Sequence, residues 1–579
     1  MSAPSLLPAC LHHRSHAALV ALFASLLAGG LWAGRPGPAA AQLSPERAAR
    51  VDSVFADLNR TDGPGCALGV VRDGQLAYAK GYGSSNLDYK RPITPETNFY
   101  MGSVSKQFVA AAVVLAARQG HLSLGDPVRK WLPDLPDYDG RTITLRHLIH
   151  HTSGLRDYLT LADLAAWNPD SFHDTEEYLD LVYRQQGLNF DPGAKYRYSN
   201  TNYLLLAQVI EEATGSTLRE FANNQMFGPL GMRDTHFHDD RTHVIRNRAV
   251  GYASADRGFE MVHLWNWEEV GSGGLYSNIE DLARWDRNFD TETVGGDRFT
   301  DQMTERGRLA NGDTLDYAFG LDIGTYRGQR TVEHGGALTG FRSYYLRFPE
   351  AGRSVIVLCN LESASPGARA RSVADIVLAN QLTSREEERG DPEEGAPVAE
   401  RSAEELKPHG GTYRSSEGEY VRFRVEGGRL VVEGRGQRFP LRAVAADRFA
   451  MAAGLDVEWA FQAEGAGPSE RVVMHASSGD TTSYERVELA TYTDRERTAF
   501  AGRYHSEELG VDYRIFAEGD ALQLKQGDRD PKALRPGIDD EFRFGDGDGR
   551  IRFTRNGEEV TGFEVDTGRA RGIRFVRRR

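Results

Sequence analysis

The feature that most constrains the fold is a repeat within the last third of this 579-residue chain. Residues 411–415 (GTYRS) resemble residues 502–506 (GRYHS), and residues 423–430 (FRVEGGRL) resemble residues 515–522 (IFAEGDAL), about 91 residues further on. A period of this size indicates a duplicated structural unit. Each copy contains short alternating strands separated by glycine-rich turns, which is typical of small barrels. The sequence therefore predicts an all-β C-terminal region made of two similar units.

The repeat also sets the expected domain boundaries. We predict two small, lipocalin-like β-barrels at 406–490 and 491–579, with one larger barrel built from both copies as the alternative. A segment dense in Glu, Arg, Pro and Gly precedes them at 384–405, and we expect it to be an exposed, mobile linker. The remainder, 42–383, mixes helical and strand patterns and is predicted to be a separate domain.

Several local patterns within this first domain predict individual elements. Residues 70–78 predict a hairpin with Asp73-Gly74 at its turn. Residues 106–119 are apolar on almost every side, which predicts a buried helix. A second helix is predicted over 201–214, ended by Gly215. Strands are predicted at 330–333, 343–348 and 354–359.

The first 41 residues have the pattern of an export signal. Histidine and arginine residues at 12–16 precede an apolar run over 17–32, and three alanines at 39–41 offer a cleavage site. We therefore predict a signal peptide at 1–41 and a periplasmic or secreted protein, with an uncleaved anchor as the alternative. No later segment is long and apolar enough to predict a membrane span.

Charge and composition restrict the classes of molecule that the protein could bind. The formal net charge is −14 and no basic stripe offsets it, which argues against nucleic acid. No Cys/His cluster has zinc spacing, and His150-His151 is interpreted as structural. We therefore expect a small-molecule or peptide substrate, and no metal or other cofactor.

Two cysteines, Cys66 and Cys359, remain after the predicted cleavage. Both lie in strand-like runs. The exported compartment allows a disulfide. We nevertheless favour two buried thiols, because free cysteine often behaves as a small core residue.

The main chemical motif is Ser103-Val104-Ser105-Lys106. Residues three apart at the start of a helix lie on one face, one turn apart. A buried, neutral Lys106 could then take the proton from the Ser103 hydroxyl and create a nucleophile. Its position at the head of an apolar helix predicts that Lys106 is buried and largely unprotonated.

Two further motifs could complete such a site. Tyr198-Ser199-Asn200 lies just before a predicted helix, so Tyr198 and Asn200 could face one cleft, where the Tyr198 phenol could relay a proton. His334-Gly335-Gly336 ends a predicted strand, and its glycines would let a substrate approach the backbone. Each motif has a second copy, Tyr276-Ser277-Asn278 and His409-Gly410-Gly411, which we interpret as structural from its context.

In this order and context the motifs resemble the serine β-lactamase and penicillin-binding-protein family, and within it the class C β-lactamase-like branch. The resemblance covers roughly residues 48–381. It implies an α/β (α+β) catalytic domain with an antiparallel sheet flanked by helices.

The resemblance also implies residue roles. Ser103 would be the acylated nucleophile, Lys106 its general base and Tyr198 the proton relay. Asn200 would bind the substrate amide or orient Lys106, and the motif of His334, Gly335 and Gly336 would bind substrate. The N–H groups of Ser103 and Ala337 would form the oxyanion hole.

One departure from that family narrows the expected activity. β-Lactamases of this branch carry Lys-Thr-Gly where this chain has His334-Gly335-Gly336, so a permanent cation is replaced by a group that titrates near pH 6.5. Versions with histidine resemble D-aminopeptidases, carboxypeptidases and esterases. We therefore expect a serine hydrolase acting on peptides with D-residues or on small esters. A class C type β-lactamase and an inactive binding or regulatory protein that uses the barrels are the alternatives.

Overall fold

The computed structural model describes residues 42–262, 267–384, 401–434, 437–451, 457–463, 467–476, 481–545 and 549–578. The predicted signal at 1–41 and most of the predicted linker lie outside these residues. At the end of that linker, Ala403–Leu406 forms a short helix capped by the Ser402 side chain. Among the described residues, no helix combines the length and apolar character needed to cross a bilayer.

A six-stranded antiparallel sheet forms the centre of the first domain, in the order β10-β11-β12-β13-β1-β2. Its strands are β1 (Cys66–Arg72), β2 (Gln75–Tyr82), β10 (Asp322–Tyr326), β11 (Gln329–Leu338), β12 (Phe341–Phe348) and β13 (Arg353–Cys359). The hairpin predicted at 70–78 is the β1–β2 hairpin, and the three predicted strands lie within β11, β12 and β13. Small additional strands are β3 (Ser84–Asn86), β4 (Arg91–Pro92), β5 (Phe99–Tyr100), β6 (His236–Phe237), β7 (Gly251–Ala255), β8 (Gly258–Val262) and β9 (Leu275–Ser277).

Helices cover both faces of the sheet, as expected for this fold class. They are α1 (Pro45–Ser53), α2 (Lys106–Arg118), α3 (Leu145–Ile149), α4 (Tyr158–Leu164), α5 (Thr175–Tyr183), α6 (Asn200–Thr214), α7 (Leu218–Ala222), α8 (Gly228–Leu230), α9 (Ile279–Thr291), α10 (Phe299–Met303) and α11 (Pro366–Val377). The two predicted helices are α2 and α6, and Gly215 ends α6 in the left-handed conformation. A π-helical turn, Asn223–Phe227, separates α7 from α8.

The alternation of side chains along the strands creates two cores. Val355 and Val357 of β13 pack with α1 and α11 on one face. Ile356 and Leu358 of the same strand face the larger core, which contains α2, α6 and α9. Because successive side chains of a strand point to opposite faces, a strand that is apolar throughout belongs between two layers of helices.

The preferred interpretation of the two cysteines is wrong. Cys66 of β1 and Cys359 of β13 are directly opposite each other in the sheet and form a disulfide. The pairing depends on β13 lying beside β1, although the two cysteines are 293 residues apart in sequence. Neither local sequence pattern contains that information.

The C-terminal region forms two closed barrels of eight strands each, so the single-barrel alternative is wrong. The first contains β14 (Gly411–Ser415), β15 (Tyr420–Glu426), β16 (Arg429–Gly434), β17 (Gln437–Ala443), β18 (Arg448–Met451), β19 (Val457–Gln462), β20 (Arg471–Ala476) and β21 (Thr481–Val487). The second contains β22 (Gly502–Ser506), β23 (Val511–Glu518), β24 (Ala521–Gln526), β25 (Lys532–Pro536), β26 (Glu541–Phe544), β27 (Gly549–Asn556), β28 (Glu559–Asp566) and β29 (Ile573–Arg578). A helix precedes each barrel, α12 (Ala403–Leu406) and α13 (Asp494–Phe500). Each strand pairs with its neighbours in sequence and the last closes on the first, which leaves no open edge.

Candidate active site

A cleft of about 560 Å³ brings the sequence-predicted site residues together. Its lining includes Ser103, Tyr198, Asn200, His334, Gly335, Gly336 and Ala337. Lys106 lies beneath this lining, fully buried, and reaches it through hydrogen bonds. Three segments far apart in sequence therefore meet in one site.

Ser103 lies in a single 3₁₀ turn, Gly102–Ser105, immediately before α2. Gly102 has a φ of +53°, and a Cβ there would lie only 2.7 Å from the amide nitrogen of Ala337. Glycine has no Cβ, so it can adopt this positive φ and still leave room for the Ala337 amide. The close approach places β11 directly against the nucleophile's turn, with the Ala337 amide beside it.

Lys106 is held by three acceptors. Its Nζ donates to Ser103 Oγ at 3.2 Å, to Asn200 Oδ1 at 2.9 Å and to the Ser272 carbonyl oxygen at 2.6 Å. Burial lowers the pKa of Lys106 to about 7. A pKa in this range leaves a substantial neutral fraction at neutral pH, so the expected burial is present while deprotonation is partial rather than complete.

A buried carboxylate near Lys106 was missed by the sequence analysis. Glu269 accepts a hydrogen bond from Tyr158 Oη at 2.7 Å and another from the Ser272 amide at 3.3 Å. Its negative charge raises the pKa of Lys106 and so opposes the effect of burial, which itself raises the pKa of Glu269. Glu269 lies in a loop and belongs to no recognisable motif, so only the tertiary structure connects it with the base.

Tyr198 lies against the same lysine, with its ring centroid 4.9 Å from Lys106 Nζ. Its hydroxyl oxygen is buried and has no hydrogen-bond partner among the described residues, although Ser103 lies close by. Burial raises the pKa of Tyr198 well above its ordinary value. The free enzyme therefore holds a phenol here, available both to donate a proton and to accept one.

Asn200, the first residue of α6, is fixed from both sides. Its side-chain oxygen accepts from Lys106, and its backbone amide donates to Asp157 Oδ2 at 2.6 Å. Asp157 also caps α4 by accepting from the Thr160 amide at 3.0 Å. These contacts direct the side-chain oxygen of Asn200 toward Lys106. They favour a role for Asn200 in orienting Lys106.

His334 lines the cleft and is buried, and its pKa differs from the value near 6.5 that the sequence predicts. Its Nε2 lies 3.3 Å from Tyr317 Oη, and its Nδ1 lies 2.6 Å from the Gly335 carbonyl oxygen. Burial, with a smaller effect from the positive charge of Lys106, lowers the pKa of His334 to about 4. His334 is therefore neutral at neutral pH, and the expected titration near pH 6.5 is shifted.

Gly336 allows close packing beside the nucleophile. A Cβ on Gly336 would lie 2.1 Å from the Met101 carbonyl oxygen and 2.3 Å from Ser343 Oγ. Glycine is needed here because any side chain would push β11 away from the Ser103 turn. Gly335 and Gly336 thus provide a flat wall of backbone along the cleft.

The two motif copies interpreted as structural lie outside the cleft lining. Tyr276 and Ser277 belong to β9, and Asn278 caps α9 by accepting from the Asp281 amide at 2.9 Å. His409 ends a 3₁₀ turn immediately before the first barrel and lies 2.9 Å from Ser469 Oγ through its Nδ1. Their environments match the interpretation.

The second barrel also contributes to the cleft. Arg569, in the loop between β28 and β29, lines it, and its guanidinium carbon lies 5.1 Å from the ring centroid of Tyr198. Within the described part of the chain no carboxylate pairs with Arg569. Its positive charge lowers the pKa values of Lys106 and Tyr198. Sequence reasoning missed this residue, since nothing in the barrel pattern places it near Ser103.

The loop that carries Arg569 is anchored to the first domain by buried polar contacts. Arg156 donates to the Arg571 carbonyl at 2.9 Å and forms an ion pair with Glu508 at 2.6 Å. The Arg569 carbonyl accepts from the Asp157 amide at 3.1 Å. Asp157 thus hydrogen-bonds to Asn200 of the site and to Arg569 of the barrel loop, and it links these two segments.

The arrangement brings together a serine hydroxyl, a buried lysine of low pKa, a tyrosine hydroxyl and nearby backbone amides. These are the parts needed for acyl transfer. No cluster of His, Cys, Asp or Glu side chains suitable for a metal ion occurs in the portions of the chain that the structure covers.

Comparisons with known proteins agree with this chemistry. Residues 51–379, more than half of the chain, match the family model described as Beta-lactamase. A D-aminopeptidase of Cereibacter sphaeroides is 28% identical over 539 residues, which cover 89% of this chain and 96% of the relative. A D-aminopeptidase of Gluconobacter oxydans is 30% identical over 57% of this chain and 62% of the relative. Penicillin-binding protein 4* of Bacillus subtilis is 31% identical over 51% of this chain and 67% of its own length.

Among solved structures, the octameric penicillin-binding protein homologue of Pyrococcus abyssi is similar in fold. The TM-score is 0.53 at 23% identity, with 76% of this chain and 99% of that chain covered. The chain therefore belongs to the beta-lactamase family of serine hydrolases, with relatives among the D-aminopeptidases and penicillin-binding proteins.

Proposed function

We propose that the protein is an exported serine hydrolase that forms an acyl-enzyme on Ser103 with peptides containing a D-residue or with small esters. The observation that carries the proposal is the position of Lys106, fully buried with a pKa of about 7 and hydrogen-bonded to Ser103 Oγ. A lysine with an ordinary pKa near 10.4 would be almost wholly protonated at neutral pH and could not accept the proton.

Acylation begins when neutral Lys106 takes the Ser103 proton while Oγ attacks the substrate carbonyl carbon. The resulting oxyanion is stabilised by the amides of Ser103 and Ala337. The proton then passes through the Tyr198 hydroxyl to the leaving nitrogen or oxygen as the carbonyl–leaving-group bond breaks. In deacylation the same groups take a proton from water, which attacks the acyl carbon and restores free Ser103.

The relatives support the choice of substrate class. Two of the proteins to which the chain is similar are called D-aminopeptidases, and one of them matches it over the barrels as well as the catalytic domain. A neutral His334 gives no permanent cation at the position where β-lactamases of this branch have lysine. These observations favour peptides with D-residues or esters over β-lactams.

A substrate panel on the mature protein tests the proposal. It contains D-alanyl anilides, D-Ala-D-Ala peptides, short p-nitrophenyl esters and a chromogenic cephalosporin, with fluorophosphonate labelling of Ser103 as a second measurement. We expect labelling and turnover in the wild type and neither in Ser103→Ala.

Tyr198→Phe and Tyr276→Phe form a matched pair, because both tyrosines belong to a Tyr-Ser-Asn motif. Only Tyr198→Phe should reduce turnover. A folded wild type that is neither labelled nor active on any member of the panel would contradict the proposal and favour a binding protein instead.

A further inference from the structure

A cavity separate from the catalytic cleft lies at one end of the first barrel, where the second barrel also contributes lining residues: Arg543, Arg550, Asp566, Thr567, Gly568 and Arg571. It has a volume of about 340 Å³, which lies within the range of about 300–1,000 Å³ usual for small-molecule sites. None of the described residues lines both the cavity and the Ser103 cleft. An eight-stranded barrel is just wide enough either to be filled by its own side chains or to hold one small ligand.

One end of this barrel is filled and the other is not. At the filled end, Phe461 packs against Tyr413, Phe423 and Phe449 with ring centroids 4.9–6.0 Å apart. The cavity occupies the opposite end, where its apolar wall consists of Val432, Phe439, Met451, Val457, Trp459 and Met474. Two methionines in such a wall give it an adaptable surface.

The mouth of the cavity has a cation that lacks a carboxylate partner. Arg543 forms no ion pair among the described residues and lies over the ring of Tyr420, with the guanidinium carbon 4.6 Å from the centroid. Burial lowers the pKa of Arg543, and the charges of Arg535 and Arg422 lower it further, whereas Tyr420 and Glu541 raise it. Its Nη2 donates to the Pro536 carbonyl oxygen at 3.3 Å, and its Nε has no acceptor among the described residues.

Four buried nitrogen atoms of the lining residues also have no hydrogen-bond acceptor among the described residues: Trp459 Nε1, Arg543 Nε, Arg550 Nη1 and Arg571 Nε. Two of these side chains are nevertheless ion-paired, Arg550 through Nη1 with Glu541 at 3.7 Å and Arg571 through Nη2 with Glu417 at 2.7 Å. Trp459 is only 5% exposed and Arg550 only 9% exposed. Buried donors are normally satisfied, so a cluster of unsatisfied ones around one cavity indicates a missing acceptor.

The carboxylates at the mouth are already engaged. Glu417 accepts from Lys195 at 2.6 Å and from Arg197 at 2.7 Å. Asp566 forms an ion pair with Arg550 and also accepts from the Gly572 amide at 2.7 Å. The Tyr484 hydroxyl lies 3.5 Å from Glu419. Trp459 Nε1 and Arg543 Nε are therefore the buried lining donors whose side chains have neither an acceptor for that atom nor an ion pair among the described residues.

We propose that this cavity binds a small amphiphilic anion, a carboxylate on an apolar chain. The hydrocarbon part would lie among the apolar side chains of the barrel, and the carboxylate would accept from Arg543 and Trp459, whose buried N–H groups have no acceptor among the described residues. The cavity wall includes Gly568 and Arg571, so a bound ligand would contact the same loop that carries Arg569 into the catalytic cleft.

The test uses the full mature chain, with decanoate as the probe and decanol and decyltrimethylammonium as uncharged and cationic controls. Binding is followed by calorimetry and by tryptophan fluorescence. We expect 1:1 binding of decanoate, weaker binding of decanol and no binding of the cation. Trp459→Phe should remove most of the fluorescence change.

Arg543→Gln should raise the decanoate Kd at least tenfold while changing decanol binding less than twofold. Arg529→Gln, in the same barrel as Arg543 but outside the cavity lining, serves as the matched control and should leave both unchanged. Circular dichroism and the melting temperature establish that each variant is folded. Val432→Trp, which fills the cavity, should abolish binding of decanoate and decanol alike.

Three results would overturn the proposal. The first is the absence of decanoate binding to the folded wild type at millimolar concentration. The second is binding that survives both Arg543→Gln and Val432→Trp. The third is binding that disappears when Ser103 is acylated, since the ligand would then occupy the catalytic cleft. The binding measurement needs no turnover, so its outcome is independent of the proposed hydrolysis.

Discussion

Arg569 of the second barrel lies over the ring of Tyr198 in the catalytic domain, with its guanidinium carbon 5.1 Å from the ring centroid. A loop of the barrel thereby forms part of the catalytic cleft and changes its electrostatics. The positive charge lowers the pKa of Lys106 and disfavours an ammonium group at that side of the cleft.

Removing this charge should therefore move the pH profile. In Arg569→Gln the pKa of Lys106 is expected to rise, because one of the effects that lower it is lost. Only neutral Lys106 accepts the proton, so the acidic limb of kcat/KM should shift to higher pH. Substrates that carry a carboxylate should also lose more activity than neutral ones.

The control for this variant is Arg574→Gln, which alters an arginine of the same barrel whose side chain is 81% exposed. Its pH profile and substrate preference should match the wild type. A profile of Arg569→Gln that does not move, or moves to lower pH, would contradict the electrostatic role.

Glu269 should have the opposite effect on the same limb. As a carboxylate it raises the pKa of Lys106, so Glu269→Gln is expected to lower that pKa and to shift the acidic limb to lower pH. The amide can still accept from Tyr158, which limits structural disturbance. Measuring kcat/KM against pH for this variant beside Arg569→Gln gives two shifts of opposite sign, a result that a general loss of packing would not produce.

The wild-type profile itself tests the base. Activity on an uncharged ester should increase with pH through an inflection near 7 and then level off, because the pKa of Lys106 is about 7. Lys106→Met should lower kcat/KM by about 10²–10⁴-fold, the usual contribution of a positioned acid–base group. Fluorophosphonate labelling of Ser103 should slow in parallel. An unchanged labelling rate in a folded Lys106→Met protein would assign the base to another residue.

The buried ion pair between Arg156 and Glu508 should be essential to the attachment of the second barrel. The two side chains are only 3% and 8% exposed, so Glu508→Gln would leave a buried arginine without its counter-charge. We expect a loss of about 3–5 kcal/mol in the free energy of unfolding, measured by chemical denaturation. Asp163→Asn breaks the more exposed Arg529–Asp163 contact and should cost about 0–1 kcal/mol. Equal losses in the two variants would show that the pair is not structurally important.

Much of the fold could be predicted from local patterns. The apolar residues of α2, the hairpin turn at Asp73-Gly74 and the repeat in the barrels each specify an element through the residues of that element alone. The Ser103–Lys106 spacing works in the same way, because one helical turn fixes the distance between the two side chains. These parts of the site were predicted because their geometry is local.

The sequence by itself thus determined the duplicated all-β region and the pairing of the candidate nucleophile, Ser103, with its candidate base, Lys106. The tertiary structure decided the remainder: the Cys66–Cys359 disulfide, the neutral state of His334, and the roles of Glu269 and Arg569 around Lys106. Each of these depends on which distant segments become neighbours and on how far burial removes a group from water. Strand order, desolvation and charge proximity are properties of the assembled fold, and no short stretch of sequence contains them.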